Sequence, residues 1–366
     1  MVAGPGFYTY EMSTSLPTAR VAIILRTFER PVLLARAIAS VQNQTLTDWV
    51  LVIVNNGGDP RAVDAIVKIA AQSSTQTSQQ ILVLHLDECV NPGAASNRGL
   101  AQCDSDYFVL HDDDDTWSPD FLKVMVSALD SQKTASAGVA GSALVLETQR
   151  GNRLWPIRET PQAIEEGQLT FTSLIAGQLF PSGAVLLRRS LTRDVGAFDE
   201  TIPMLDDWEF LVRITEQYPL VAIHETLMRH HIRSIRSEEE NVHRAPASGE
   251  LELATRELII DRWLQVTLPH GLNKGQLAIT AAGARQAADS ARSMDSWRIR
   301  VEELEHIVRD LQLSIANDIA NQDIAHQHIA HQIVHIIEQR RFWRRITRVL
   351  LNPAHGFRAI KRRIAA

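Results

Sequence analysis

The sequence predicts an α/β fold, in which a mainly parallel sheet is covered by helices and followed by a helical C-terminal region. Three observations predict it. Apolar, strand-like runs alternate with helical patterns over the first 135 residues, polar residues stand at the ends of those runs, and strand signals vanish after about residue 250. Alternating strands and helices are typical of a parallel sheet, because each crossover lays a helix on one of its faces.

The predicted elements follow in order along the chain. Strands are predicted at "VAIILRTF" (21–28), "WVLVIVNNGG" (49–58), "ILVLHL" (81–86) and "YFVLHDDDD" (107–115). Helices are predicted between them at "RPVLLARAIASVQNQ", where Pro31 suits a first helical turn, at "AVDAIVKIAAQ" and at "NPGAASNRGLAQC". Further on, "SALVLETQ" and "GAVLLRRS" predict strands, and "DDWEFLVRITEQY" predicts a helix that opens with acidic residues.

Polar side chains gather where the strands end. Arg26 and Thr27 end the first strand, Asn55 and Asn56 the second, and residues 112–115 the fourth. Ligands of such sheets bind beyond the carboxyl ends of the strands. We therefore expect one edge of the sheet to carry the functional site.

The run "LHDDDDTW" places four aspartates side by side, and their charges repel each other. Hard divalent cations take oxygen ligands, and a cation between carboxylates and a diphosphate neutralises both. We expect such a cation and diphosphate to be what makes the run tolerable; the alternative is a solvated or calcium-binding loop. In an extended chain, Asp112 and Asp114 would share one face, with Asp113 and Asp115 on the other.

Several motifs together resemble the nucleotide-binding half of family 2 glycosyltransferases of the GT-A fold, in the bacterial subgroup with Arg-Thr and Asp-Asp-Asp-Asp-x-Trp. They are "RTFERPVLLARAIASVQNQTLTDWVLVIVNNGGDP", "NPGAASNRGL" and "YFVLHDDDDTWSPDFL". Downstream, "GAVLLRRSLTRDVGAFDETIPMLDDWEFLVRI" resembles the acceptor half. The resemblance implies a Rossmann-like, mixed but mainly parallel sheet with helices on both faces. It also implies inverting transfer of a hexosyl or related sugar from a nucleotide-diphosphate sugar to a saccharide hydroxyl, with Mn²⁺ or Mg²⁺.

The resemblance also implies a role for each matching residue. The nucleotide-sugar site would contain Arg26, Thr27, Asn55, Asn56, Arg98, Asp112 and Asp113. The metal would be held by Asp114, Asp115 and His231, with His230 in reserve. Asp207 would be the general base, and Asp206 and Trp208 would bind the acceptor. Two alternatives stay open: the acidic pair stabilises a helix N-terminus, and the tryptophan packs in the core.

The chain departs from the family pattern at two places. Asn55 and Asn56 stand where the family usually has a base-reading aspartate, which leaves the identity of the base open. Ser96 occupies the usual position of an arginine, so the role of Arg98 is open as well.

Three regions are predicted: a flexible tail (1–18), the glycosyltransferase domain (19–245) and a helical region (246–366). The helical region would hold a long helix at about 296–350, whose heptad pattern, weak in the middle, favours a coiled coil and a homo-oligomer; the alternative is that the helix packs against its own domain. Residues 340–366 carry nine basic residues and no acidic one, which leaves a net charge of −15 on the first 339 residues of a chain whose total is −6. This basic amphipathic tail is predicted to rest on anionic lipid, the alternative being an ordinary helix with solvated arginines.

These features predict a cytoplasmic enzyme, peripheral at the inner face of the cytoplasmic membrane, that takes part in bacterial surface polysaccharide synthesis (O-antigen, capsule or similar). A lipid-linked saccharide is one expected acceptor, and nucleic acid is not an expected partner. Cys89 and Cys103 are predicted to be buried free thiols in a reducing cytosol. Two other functions stay open: a nucleotidyltransferase, and a non-catalytic scaffold of the same fold that presents a coiled coil.

Overall fold

The computed structural model describes residues 16–73, 80–165, 169–233, 247–267, 271 and 273–286. All of them lie in the first of two compact units, which comprises residues 1–286. Most of the predicted N-terminal tail, the long helix at 296–350 with its coiled coil, and the basic tail at 340–366 lie outside the described residues. Within the ranges described, no helix has the length and apolarity that would let it cross a bilayer.

Strands and helices alternate through the first half of the unit, as the sequence predicts. The elements are β1 (Thr18–Thr27), α1 (Pro31–Gln42), β2 (Trp49–Asn56), α2 (Pro60–Ser73), β3 (Gln80–Leu86), α3 (Pro92–Leu100), β4 (Asp104–Asp112), β5 (Thr116–Trp117) and α4 (Phe121–Ser131). The four strands and three helices predicted in this half are all present. The short β5, immediately after the aspartates, and α4 were not predicted.

The second half is less regular. Its elements are β6 (Ala137–Arg150), β7 (Arg153–Gln162), α5 (Phe171–Ile175), a 3-10 turn at Ser182–Ala184, β8 (Val185–Arg188), α6 (Leu191–Asp194), α7 (Asp206–Thr215), β9 (Leu220–Arg233) and α8 (Ala247–Trp263). Residues 274–286 are helical as well. Strands β7 and β9 were not predicted. Most of their residues are exposed or half-buried, so neither strand shows a continuous apolar run in the sequence.

The strands form one mixed sheet in the order β3-β2-β1-β4-β8-β6-β9-β5, with β7 paired to β6. The first four strands in this order are parallel to one another. Beyond β4 the sheet is mixed, as the resemblance implied: β8 is antiparallel to β4 and β6, β7 is antiparallel to β6, and β5 is antiparallel to β9. In this half β6 and β9 are the parallel pair. Strands β6 and β7 are joined by a two-residue turn, a connection that only antiparallel neighbours allow.

Both faces of the sheet are buried under helices. On β1, Ala22 and Ile24 pack into one core cluster, whereas Val21, Ile23 and Leu25 pack into the other. The first cluster includes residues of α3, α7 and α8, and the second includes residues of α1 and α4. A strand that is buried on both faces is apolar at successive positions, which is why its sequence shows no alternation.

Helix α8 belongs to the same compact unit as the sheet. Ile259 and Trp263 are almost fully buried, and the Trp263 ring lies 5.2 Å from that of Trp208 in α7. Ala278, in the helical segment 274–286, is also fully buried in this core. The compact unit therefore extends beyond the boundary that was predicted after residue 245.

The two cysteines differ in exposure. Cys103 is buried, as predicted, whereas Cys89 is exposed, so the prediction that both thiols are buried was wrong for Cys89.

Candidate active site

The polar strand ends meet at one edge of the sheet. The register pairs Arg26 with Asp112 across β1 and β4, and Thr27 with Asn55 across β1 and β2. This confirms the prediction that the first, second and fourth strands bring their polar residues together. Glu29, in the loop that follows β1, has a left-handed backbone with φ of 51°. Such a conformation costs about 1–3 kcal/mol in a residue other than glycine and is typical of functional loops.

The first two aspartates are held by side chains of β1 and of the loop that follows it. Arg26 donates to Asp112 at 2.9 Å. Thr27 donates to Asp113 at 2.7 Å, and Arg30 donates to the same carboxylate at 3.1 Å. Burial raises the pKa of Asp113 to about 6, although Arg30 opposes the shift.

The last two aspartates are held by the end of β9. Arg233 donates to Asp114 at 2.8 Å. Asp115 is fully buried and accepts a hydrogen bond from the backbone N–H of His231 at 3.0 Å, while the imidazole of His230 lies 3.1 Å from it. Burial raises the pKa of Asp115 to about 7. The hydrogen bond with Asp115 raises the pKa of His230.

The geometry of the tetrad, residues 112–115, corrects two predictions. The strand ends at Asp112, and the N–H of Asp115 donates to the Asp112 carbonyl at 3.2 Å, so the chain turns and does not alternate. Asp113 and Asp114, which were assigned to opposite faces, both contact Arg30. The premise that only a bound cation and diphosphate make the run tolerable was also wrong, because arginines of the protein already compensate much of its charge.

Two members of the tetrad stay open to a ligand. The side chain of Asp112 is 37% exposed and that of Asp114 is 18% exposed, whereas those of Asp113 and Asp115 are 4% and 1% exposed. Asp113 and Asp115 therefore hold the loop in place, and Asp112 and Asp114 present carboxylate oxygens to the outside.

Glu147 on β6 is a buried acid that belongs to the site. The sequence did not predict it as a site residue. Its carboxylate accepts from Arg36 at 2.6 Å and lies 2.9 Å from Nδ1 of His231. Burial alone would raise the pKa of Glu147, but the hydrogen bonds with His231 and Arg36 outweigh it and lower the pKa. The signal in the sequence was an acid at an inward position of the apolar run "SALVLET".

Both ring nitrogens of His231 have partners within the protein. Nδ1 lies beside Glu147, and Nε2 lies 2.9 Å from the hydroxyl of Thr116. The metal-ligand role of His231 stays a prediction, and in this arrangement His230 is the histidine whose ring faces a tetrad carboxylate.

The acidic pair predicted to do the chemistry opens helix α7. Asp206 is buried and lies 3.5 Å from Arg26, whose other guanidinium nitrogen contacts Asp112. Asp207 is half-buried and accepts from Gln178 at 2.7 Å and from the N–H of Trp208 at 2.8 Å. Burial raises the pKa of Asp206 to about 6 and also raises the pKa of Asp207. Arg26 thus connects the tetrad to the acidic pair.

Trp208 was predicted to line a pocket for the acceptor. In the structure it belongs to the core. It is fully buried, and its indole N–H donates to the carbonyl of Leu174 at 2.6 Å. Its ring packs against Trp263, and the Arg256 guanidinium lies 4.9 Å from the ring centroid. The amphipathic position of Trp208 in α7 could not distinguish these roles, because the residues that cover it lie far away in the sequence.

Three other residues were predicted to bind the nucleotide. Two of them hydrogen-bond to the protein's own backbone, and the third is exposed. Asn55 is fully buried and donates to the Gly58 carbonyl at 2.7 Å. The amide of Asn56 exchanges two hydrogen bonds with the backbone of Val90 and so fixes the loop after β3. Arg98 is exposed on α3, and within the described residues its side chain does not contact the tetrad. Their roles toward a nucleotide stay predictions.

Comparison with known proteins shows what part of the chain is similar to. Residues 22–196 match the family model described as Glycosyl transferase family 2. The matched segment is thus similar to family 2 glycosyltransferases and covers slightly less than half of the chain. It contains most of β1, the tetrad, Glu147 and the 3-10 turn, whereas the acidic pair of α7 and the histidines of β9 follow it along the chain.

Individual relatives of the domain are distant. The chain is 25% identical to the uncharacterized glycosyltransferase YwdF of Bacillus subtilis (strain 168) over 202 residues, which cover 54% of this chain and 69% of that protein. It is 30% identical to the succinoglycan biosynthesis protein ExoW of Rhizobium meliloti (strain 1021) over 107 residues, 28% of this chain and 32% of that protein.

The fold is similar to that of the mannosyltransferase PcManGT from Pyrobaculum calidifontis, which was solved with GDP-Man and Mn²⁺. The TM-score is 0.51 at 14% identity, over 76% of this chain and 77% of that chain. At this identity the similarity shows the fold alone, and it supports the predicted GT-A fold for the sheet domain.

Proposed function

We propose that the protein is a metal-dependent, inverting glycosyltransferase that moves a sugar from a nucleotide-diphosphate sugar to a saccharide hydroxyl. One observation carries the proposal: Arg26 contacts both Asp112, on the side of the donor, and Asp206, beside the proposed base Asp207. Donor and acceptor groups would therefore lie close enough to react. The similarity to family 2 glycosyltransferases and the glycosyltransferase relative YwdF support this class of reaction.

The chemistry of the tetrad fits a hard divalent cation. Asp112 and Asp114 offer the two exposed carboxylates, and Mn²⁺ and Mg²⁺ prefer oxygen ligands. No group of three or more acids, histidines or cysteines is arranged as a metal site in the described part of the chain, so the donor diphosphate would supply the remaining oxygens. When bound, the cation would neutralise the charge that develops on the leaving diphosphate. The Mn²⁺ in the complex of PcManGT supports such a cofactor.

Asp207 is the proposed general base. The acceptor hydroxyl would lose its proton to a carboxylate oxygen of Asp207 while its oxygen bonds to the anomeric carbon, and the bond to the nucleoside diphosphate would break on the opposite face. A base is most effective when its pKa approaches the working pH, and the raised pKa of Asp207 moves it in that direction. Gln178 would hold the carboxylate in place through its 2.7 Å hydrogen bond.

The wider role is synthesis of a bacterial surface polysaccharide, with a saccharide acceptor that is carried on a lipid or free. The name of ExoW, a succinoglycan biosynthesis protein, supports this role. The alternative functions, a nucleotidyltransferase and a non-catalytic scaffold, differ in their products. Release of nucleoside diphosphate from a sugar nucleotide supports the transferase, release of pyrophosphate from a nucleoside triphosphate supports the nucleotidyltransferase, and release of neither supports the scaffold.

The test of the proposal is the variant Asp207→Asn, which keeps the size of the side chain and removes the base. We expect sugar transfer to fall by about 10²–10⁴-fold, the range for loss of a general base, while binding of the donor stays within about twofold. The matched control is Asp194→Asn, an exposed acid on α6. Transfer at the wild-type rate by Asp207→Asn would refute the assignment.

A further inference from the structure

Strands β6 and β7 form a hairpin that leaves the sheet beside the candidate active site. Within the described residues, the parallel pairing of β6 with β9 runs as far as Glu147 and Arg233, whereas β6 continues to Arg150. Beyond Glu147, β6 pairs with β7. Residues 148–158, which we call the site hairpin, therefore form a two-stranded ribbon that begins where Glu147 meets His231.

The tip of the site hairpin stands in solvent. Gly151 and Asn152 form its two-residue turn, and Gly151 has φ of 56° with nothing within 4 Å of the position of a Cβ. A glycine in the left-handed region is typical of such turns. The free edge of β7 contains Pro156 and Pro161, which have no N–H to donate, so the edge is a poor template for another strand.

The site hairpin combines exposed apolar groups with uncompensated positive charge. Trp155 is 51% exposed and Ile157 is 57% exposed. Arg153 and Arg158 are exposed, and neither forms an ion pair with a described residue. Between Glu147 and Glu159 the sequence contains three arginines and no acid. Glu159 does not offset them, because it pairs with Arg229 at 3.0 Å.

We propose that the site hairpin docks the protein onto an anionic lipid surface. Tryptophan favours the interface between water and hydrocarbon, an aliphatic side chain enters it, and arginines are attracted to anionic headgroups. A neutral glycan stacked on Trp155 would account for the aromatic ring but not for Ile157 or the arginines. The proposal concerns residues other than 340–366, the basic segment that the sequence predicts to contact lipid.

Docking through the site hairpin would bring the mouth of the site close to the membrane surface. A saccharide carried on a lipid would then reach the edge of the sheet where Asp112 and Asp207 lie. That consequence rests on the proposed function, but the docking itself does not. Failure of the lipid-binding experiment would leave the transferase proposal intact, and transfer at the wild-type rate by Asp207→Asn, which would refute the proposed base, would leave the docking proposal intact.

The test places a fluorescent reporter on the hairpin of the full-length chain. In a Cys89→Ser background, which removes the exposed cysteine, Trp155→Cys is labelled with nitrobenzoxadiazole. The matched control carries the label at Leu253→Cys on α8, where the native side chain is 64% exposed. With vesicles of phosphatidylcholine and phosphatidylglycerol we expect a blue shift, and quenching by nitroxide lipids, at position 155 alone. Vesicles of pure phosphatidylcholine should give neither.

A variant that lacks two arginines of the site hairpin measures the electrostatic contribution to vesicle binding. In unlabelled full-length protein, Arg153→Gln with Arg158→Gln should lower the partition coefficient onto anionic vesicles by about fivefold per arginine, or about 25-fold in all, at low salt. The control, Arg61→Gln with Arg193→Gln, removes two exposed arginines elsewhere and should have little effect.

Three results would overturn the proposal. One is the absence of sedimentation with anionic vesicles. Another is sedimentation without a spectral change at position 155, which would assign the contact to another part of the chain. The third is a spectral change with a soluble anionic polysaccharide such as polygalacturonate, but not with vesicles, which would assign the hairpin to glycan binding.

Discussion

Replacing Arg233 with methionine should have opposite effects on two ligands. In the structure its guanidinium donates to Asp114 at 2.8 Å, and the two side chains are 20% and 18% exposed. The arginine therefore occupies part of the space that a cation on Asp114 would need. Arg233→Met removes this competitor and should tighten the binding of Mn²⁺ alone. It also removes a positive charge beside the tetrad that would attract a bound diphosphate, so it should weaken the binding of Mn²⁺-pyrophosphate.

The size of the first effect follows from Coulomb's law. A single and a double charge about 5 Å apart repel by about 1.7–3.3 kcal/mol at effective dielectric constants of about 40–80. Removing the arginine should therefore raise the affinity for Mn²⁺ by about 15- to 300-fold. Arg30 remains near Asp114 at 3.5 Å and keeps the increase toward the lower end.

Titration of Mn²⁺ followed by electron paramagnetic resonance measures the free ion directly. Arg229→Met is the matched control, since Arg229 lies on the same strand but pairs with Glu159. The reasoning fails if Arg233→Met binds Mn²⁺ no more tightly than wild type, or if the control tightens binding as much.

Three further predictions concern stability and reactivity. Trp208→Ala should lower the free energy of unfolding in urea by about 3–5 kcal/mol, because the ring is fully buried, and equal stability would contradict its core role. Cys89 is exposed, whereas Cys103 is buried with its pKa raised to about 11 by burial, so a thiol reagent should modify one cysteine of the native protein quickly and the second only on unfolding. The pKa of Glu147 is lowered in the folded state, so its contribution to stability is complete above its ordinary value of 4.5 and is lost as pH falls below it. Glu147→Gln should therefore flatten the acid limb of stability against pH, and an unchanged limb would count against its ion pairs.

The sequence predicted which polar residues meet at one edge of the sheet, because their meeting depends only on the order of neighbouring strands and helices along the chain. Parallel strands that are joined by helices end on the same side, so Arg26, Thr27 and Asp112 had to meet once their strands were recognised. Family resemblance extended the prediction to the acidic pair of α7, which the structure brings to Arg26.

The resemblance placed His230 and His231 near the last two aspartates, but the sequence did not predict the arginines that hold the tetrad. Arg233 reaches it because β9 pairs with both β6 and β5, a contact between residues more than 80 positions apart. Glu147 looked like one polar residue in an apolar strand, and its partners Arg36 and His231 come from α1 and β9. Such pairings depend on the complete sheet order, which no local pattern encodes.

Donor binding tests the central claim most directly. The thermal midpoint should be measured with UDP-, GDP-, dTDP- and CMP-sugars, with and without Mn²⁺, for the wild type, for Asp114→Asn and for Asp104→Asn, which lies at the opposite end of β4. At 100 times its Kd, one donor with Mn²⁺ should stabilise the wild type by about 2.7 kcal/mol, a rise of a few degrees. Asp104→Asn should respond like the wild type, and Asp114→Asn should lose the part of the rise in thermal midpoint that depends on Mn²⁺. If no donor raises the midpoint with Mn²⁺, or if Asp114→Asn keeps the full rise, the tetrad is not the donor site.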